Sequence, residues 1–290
     1  MLTQLVANGL IAGMLVALLG VGFAVLYSGS RFFVFTFGAS YVWAAYTVLA
    51  LVDYAPEWLA ISAGIVVGAG IGVLLEHFIY GPIRRRGRSP LILMLASIGA
   101  YAVLQNTISM VFGDETRSLR GRHTTEGHLI LDARVTSIQL SMVAASFLAL
   151  VATWLLLKRT RLGRRLRAVA NDEFLARVMG IRVERAVLLG AALGSALAAI
   201  AGVLMSYDTN LIPTMGFQAL LLGVVAAIVG GVNSMGGAVL GGMLLGLAQH
   251  VGVWKLPTQW QDAIVFVILV AFLVLRPQGF FGKPLRRAAV

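Results

Sequence analysis

The side chains able to carry catalysis are few and poorly spaced for it. The histidines are His77, His123, His128 and His250, and none belongs to a His-Glu-x-x-His pair or an acid cluster suited to a metal. Glu76 and His77 are neighbours, as are Asp172 and Glu173, but consecutive helical residues do not face each other. Glu76 and His77 therefore read as interfacial polar groups. The serines have no matching histidine and carboxylate within one stretch. Cysteine is absent, which removes disulfide, zinc and thiol chemistry. No run ends in Gly-Lys-Ser or Gly-Lys-Thr, so the lysine and hydroxyl of a phosphate-binding loop are missing. The chain is expected to be no enzyme and to hold no metal or cofactor, leaving any ATP hydrolysis to another chain.

What remains is a small set of polar groups inside apolar sequence. Asn8, Gln105 and Asn106 are amides set in hydrophobic runs, where each must find a hydrogen-bond partner. They serve either as interhelical bonds that fix packing or as the wall of a solute path. No charged residue sits securely in mid-run, so a proton relay has no carrier. The stretch GGVNSMGGAVLGGMLLG contains Gly230, Gly231, Gly236 and Gly237, which serve tight helix packing or a flexible break for gating. Gly237 and Gly241, like Gly242 and Gly246, lie four apart, and Ala191, Ser195 and Ala199 form a similar small-residue stripe.

The elements that must position these groups are membrane spans. Of 290 residues, 59% are hydrophobic and only 12% charged, which excludes an ordinary soluble domain. Apolar runs near the ~20 residues a spanning helix needs fall at about Gln4 to Tyr27, Arg31 to Val52, Glu57 to Tyr80, Leu91 to Phe112, Ile138 to Leu157, Ala186 to Tyr207, Phe217 to Gly230, Gly236 to Val251 and Asp262 to Leu275. The seventh and eighth are short. No basic residue precedes Arg31, so the first run reads as a retained span and not a cleaved signal peptide. The reading is an all-α polytopic membrane protein of about 8–9 spans, a single domain over 1–290.

Sides follow from the basic residues. Arg84, Arg85, Arg86 and Arg88 mark one cytoplasmic connector, Lys158 to Arg185 a second, and Arg276, Lys283, Arg286 and Arg287 a cytoplasmic tail. The N-terminus, Asp53, Glu57 and the mixed-charge loop 113–137 then lie outside. The net charge of +11 is spent on these connectors, so it reports topology and not nucleic-acid binding.

The connector from Lys158 to Arg185 is the longest polar segment between two strongly apolar spans, and its Leu166, Val169, Phe174, Val178 and Ile181 recur at roughly helical spacing. A basic amphipathic segment between spans is suited to touching another protein, or anionic membrane lipid.

The stretch TRLGRRLRAVANDEFLARVMGIRVERAVLLGAALGSALAAIAGVL resembles the coupling loop and following span of the LivH-type permeases of branched-chain amino-acid ABC importers. LASIGAYAVLQN at Leu95 to Asn106, VGGVNSMGGAVLGGMLLG at Val229 to Gly246 and RPQGFFG at Arg276 to Gly282 are similar to the same family. The resemblance implies a multi-pass subunit of the bacterial inner membrane that moves branched-chain or related amino acids by alternating access. Its partners would be a second permease, LivM-like or a second copy, two cytoplasmic ATPase subunits that bind ATP and Mg, and an external solute-binding protein. It also implies a coupling segment within 158–185, at about Leu162 to Ile181, with Arg167, Asn171, Asp172, Glu173 and Gly180 meeting the ATPase. One stretch departs. Relatives carry an Ile-Asn-Phe-Ala-His-Gly-Glu-like sequence where this chain has FVFTFGA, so the Asn, His and Glu positions are Val34, Phe37 and Ala39. That change implies a drier path. The alternative is a self-sufficient channel or facilitator for a small neutral solute such as urea or an amide, with the basic connector serving topology only.

Overall fold

In a bilayer each backbone N–H and C=O must be satisfied within its own segment, so long apolar runs without internal proline become helices. A computed structural model of the chain describes residues 2–87, 89–119, 127–130, 133–232, 234–255, 257–276 and 278–281. Arg88, His123, Lys283, Arg286 and Arg287 lie outside the described residues.

The described helices are α1 (Leu2–Ser30), α2 (Thr36–Leu51), α3 (Glu57–Leu75), α4 (Gly81–Arg85), α5 (Pro90–Phe112), α6 (Ser137–Arg159), α7 (Arg161–Asn171), α8 (Glu173–Val178), α9 (Val183–Asp208), α10 (Met215–Gly230), α11 (Met235–Gly252) and α12 (Gln261–Leu275). A π-helical turn, Glu76–Tyr80, joins α3 to α4 without a break. Seven helical segments are long and apolar enough to cross a membrane, and α2 and α10 are shorter apolar helices. Every expected run thus has a helix.

Two details differ from expectation. The eighth run lies in an 18-residue helix, α11, that reaches spanning length. The second run is the shorter one, because its helix begins only at Thr36. Residues 31–35 stay irregular, starting from Arg31 with φ of 58°. Their backbone is satisfied from α5: Ser97 Oγ lies 3.2 Å from both the Phe35 amide, which donates to it, and the Phe33 carbonyl. Non-helical backbone at membrane depth is tolerated where neighbouring protein supplies such partners.

The core is organised around α1. In its most apolar 18-residue window 89% of residues are buried, against 22% in α5 and α6 and 6% in the segment that contains α12. A helix apolar on all sides belongs at the centre of a bundle, and α9, α10, α11 and α6 pack against α1. Small residues make the closest seams. A Cβ on Gly242 would overlap the Ala17 backbone and one on Gly246 the Gly13 backbone, so these glycines form the α1–α11 seam. Gly237 and Gly241 face α10 instead. The stripe Ala191, Ser195 and Ala199 packs on α3 at Gly68 and Gly72.

Within 113–137 the chain forms a short antiparallel hairpin, β1 (Gly127–Ile130) and β2 (Ala133–Thr136), with Gly127 opposite Thr136. This strand pair stands among described elements that are otherwise helical. The Gln4 amide pairs with the Arg134 backbone, donating to its carbonyl at 2.9 Å and accepting from its N–H at 2.7 Å. Arg117 and Leu211 exchange two backbone hydrogen bonds nearby. These contacts define one end of the bundle, the hairpin end. Arg85–Glu184 and Arg31–Val169 contacts define the other, the basic end. Each pair joins connectors that the alternation of spans puts on one side.

Candidate functional site

A cavity of about 560 Å³ opens at the hairpin end and runs down α1 from Asn8 to Leu19. Asn8 and Leu19 are 11 positions apart, a depth of about 16 Å along a helix. Its upper wall carries Asn8, Gln139, Gln218 and Gln249 together with Asp208, His250 and Asp262, and among the described residues no lysine or arginine lines it. Deeper down the lining becomes Leu15, Val16, Leu19 and Tyr41. Gln218 Nε2 donates to both Asp262 carboxylate oxygens at 3.1 Å, tying α10 to α12. Gln4 donates to Asn8 Oδ1 at 3.1 Å, so the cavity rim is linked to β2 through one side chain.

Beyond Leu19 no residue of α1 lines the cavity. Phe23 and Phe37 are fully buried and meet edge to face at 5.9 Å, and Phe33 lies tilted against Phe23 and Tyr27 at 5.9 and 5.5 Å. Phe37 is one of the positions where FVFTFGA departs from the family pattern, and Val34 and Ala39 are buried as well. The three positions are core and apolar.

The amides separate. Asn8 lines the cavity, whereas Gln105 and Asn106 lie on α5, with Asn106 exposed and donating back to the Ala102 carbonyl at 2.8 Å. The glycines also separate. Gly230 and Gly237 are in backbone contact, since a Cβ on either would overlap the other's carbonyl, and Gly236 faces open space. Gly231 has φ of 102° just past the end of α10. The segment from Arg276 folds back there: Phe280 and Phe281 N–H groups donate to the Val229 and Gly230 carbonyls at 2.9 and 3.1 Å. A helix C-terminus leaves such carbonyls without intrahelical partners. This is the local reason for the RPQGFFG stretch.

At the basic end the connector is a helical hairpin. Thr160 caps α7, accepting from Gly163 N–H at 3.2 Å, and Asp172 both ends α7 and caps α8, accepting from Leu175 N–H at 2.9 Å. Gly180, with φ of 76°, closes α8: Ile181 N–H reaches the Ala176 carbonyl and Gly180 N–H the Arg177 carbonyl, both at 3.0 Å. Glu173 pairs with Arg177 at 2.6 Å. Asn171 and Arg167 are exposed on α7.

The apolar stripe of this connector divides in two. Leu166 and Val169 are buried against Val183, Ala186 and Val187 of α9, which fixes α7 to the bundle. Phe174, Leu175, Val178 and Met179 of α8 and its cap are 60–76% exposed. Residues that spacing alone placed on one face thus have two different surroundings.

Three residues to which the sequence assigned no such role matter here. Arg31, noted only as the first basic residue of the chain, donates through its guanidinium to the Val169 and Ala170 carbonyls at 3.3 Å, capping the C-terminus of α7. Ser97 holds the irregular segment before α2. Glu76 is buried and paired with Arg84 at 2.7 Å across the π turn. The signals were present, in a lone arginine between two spans and in a carboxylate eight residues from an arginine on one continuing helix.

A family model described as "Branched-chain amino acid transport system / permease component" matches residues 5–273. The high-affinity branched-chain amino acid permease protein LivH of Escherichia coli K12 is 30% identical over 97% of this chain and 96% of its own length. BraD of Pseudomonas aeruginosa, carrying the same description, is 32% identical with the same coverage. A solved structure titled PsaBC from Streptococcus pneumoniae in complex with Fab aligns with TM-score 0.52 at 14% identity, covering 97% of this chain and 92% of that one, which is a likeness of fold. With a bundle built around α1, a helical connector at the basic end and full-length similarity to these proteins, the chain belongs to the branched-chain amino acid transport permease family.

Proposed function

We propose that this chain is one permease subunit of an ATP-binding-cassette importer of the bacterial inner membrane, and that it carries branched-chain or related amino acids inward by alternating access. The observation that carries this reading is the exposed apolar face of α8, held on a capped hairpin whose other helix is buried in the bundle. Large apolar side chains gathered outside the membrane mark a surface awaiting a partner. The partners are two ATPase subunits at α8, a second permease beside the peripheral helices, and an external binding protein at the hairpin end. ATP and Mg belong to the ATPases.

The cavity is the chain's share of the outward-open path. An acid-bearing wall with no lysine or arginine among its described residues suits a neutral or ammonium-bearing solute, and the apolar depth suits a branched side chain. ATPase closure pushes on α8, α7 moves with it, and Arg31 passes the displacement to the joint before α2, beside the aromatic cluster. Reconstitution tests this. Leucine uptake into liposomes is expected only with ATPases, ATP and the cognate binding protein together. Flux by the chain alone would favour the facilitator, against which the buried aromatic cluster beyond Leu19 stands.

A further inference from the structure

A second cavity, of about 680 Å³, lies at the basic end between the start of α7 and the start of α9. Arg161, Arg165, Arg182 and Arg185 line it, together with an apolar floor that includes Leu162, Ile181 and Leu189. None of the four arginines has an acidic partner among the described residues. The carboxylates nearest in sequence are already engaged: Asp172 caps α8, Glu173 holds Arg177, and Glu184 accepts from Nε and Nη2 of Arg85. The four arginines are solvent-exposed and leave the cleft positive, which suits an anion.

The shape says what kind. Leu189 is 42% exposed, six residues beyond Val183 at the start of α9, or about 9 Å up the span. An aqueous protein surface stops at the headgroups, whereas an acyl chain runs on past the arginines to Leu189. Arginine also binds phosphate oxygens through paired N–H groups.

We propose that this cleft is a binding site for the phosphate headgroup of an anionic phospholipid, its chain lying along Leu189. The site stands apart from the transport reading, since it needs only a membrane-spanning chain, and its test does not use uptake. The full-length chain, purified in non-ionic detergent with any subunits that co-elute, would be titrated with phosphatidylglycerol and with phosphatidylcholine, counting bound lipid by native mass spectrometry. Phosphatidylglycerol is expected to be retained at least about tenfold more strongly. Arg161→Gln with Arg165→Gln, or Arg182→Gln with Arg185→Gln, is expected to remove about tenfold of that affinity, while the matching Arg→Lys pairs keep most of it. Soluble glycerol phosphate at equal concentration is expected not to displace the lipid. The proposal fails if both glutamine pairs retain phosphatidylglycerol unchanged, or if glycerol phosphate displaces it and marks a free-phosphate site. Loss of co-eluting ATPase with lipid retention intact would give the cleft to a protein partner and overturn it too.

Discussion

Asp172 is the residue on which the basic-end hairpin turns, since it stops one helix and caps the next within a single position. Replacing such a cap by alanine costs about 1 kcal/mol. Asp172→Ala should therefore raise amide exchange in α8 about fivefold while α1 exchanges as before, which hydrogen-exchange mass spectrometry would read. Arg31 makes a second residue-scale link, from the α1–α2 joint to the last carbonyls of α7. Arg31→Ala is expected to lower uptake per ATP hydrolysed without loss of the assembled importer. Arg31→Gly relaxes the left-handed backbone at φ of 58° but lacks the guanidinium, so it should behave like the alanine variant if the link matters. Recovery of coupling in the glycine variant would show instead that backbone strain was the problem.

At the scale of elements, α7 and α8 share one series of helically spaced apolar residues but have different surroundings. Leu166 and Val169 are buried, whereas Phe174 and Val178 are 76% and 69% exposed. Phe174→Ser combined with Val178→Ser removes no core contact, so thermal stability should shift by no more than about 0.5 kcal/mol per site. Co-purification of the ATPase subunits should nevertheless be lost. Retained co-purification with normal uptake would remove α8 as the docking element. The short helices α2 and α10 meet through Gly38 and Gly216, where a Cβ on either would overlap the other's carbonyl. Gly216→Leu should therefore be severely destabilising, as overpacking at a backbone contact admits no rotamer escape, and would be read as loss of the folded monodisperse protein in detergent.

For the molecule as a whole, the central question is whether the cavity along α1 carries solute. Ala12 lines it on the hub helix, and Ala12→Trp is expected to abolish uptake while the complex with the ATPases still assembles and hydrolyses ATP. Normal uptake in that variant would move the path to another surface, such as the face of α5 that bears Gln105 and Asn106. Much of this architecture was legible beforehand. Hydrophobic run length and arginine placement determined the helical class, the apolar runs that became helices and the alternation of ends, because a bilayer leaves a backbone few ways to satisfy its polar groups. The sequence could not rank its helices: α1 and α3 read as equally apolar, yet one is the core and the other the rim. Nor could it separate Leu166 from Phe174, bring Asn8 to Gln218 and Asp262, or show that Arg31 reaches α7 across 138 positions. Those outcomes depend on which faces meet. Periodicity fixes the direction of a side chain around its own helix, while the partner it meets there is set only when all the helices have packed.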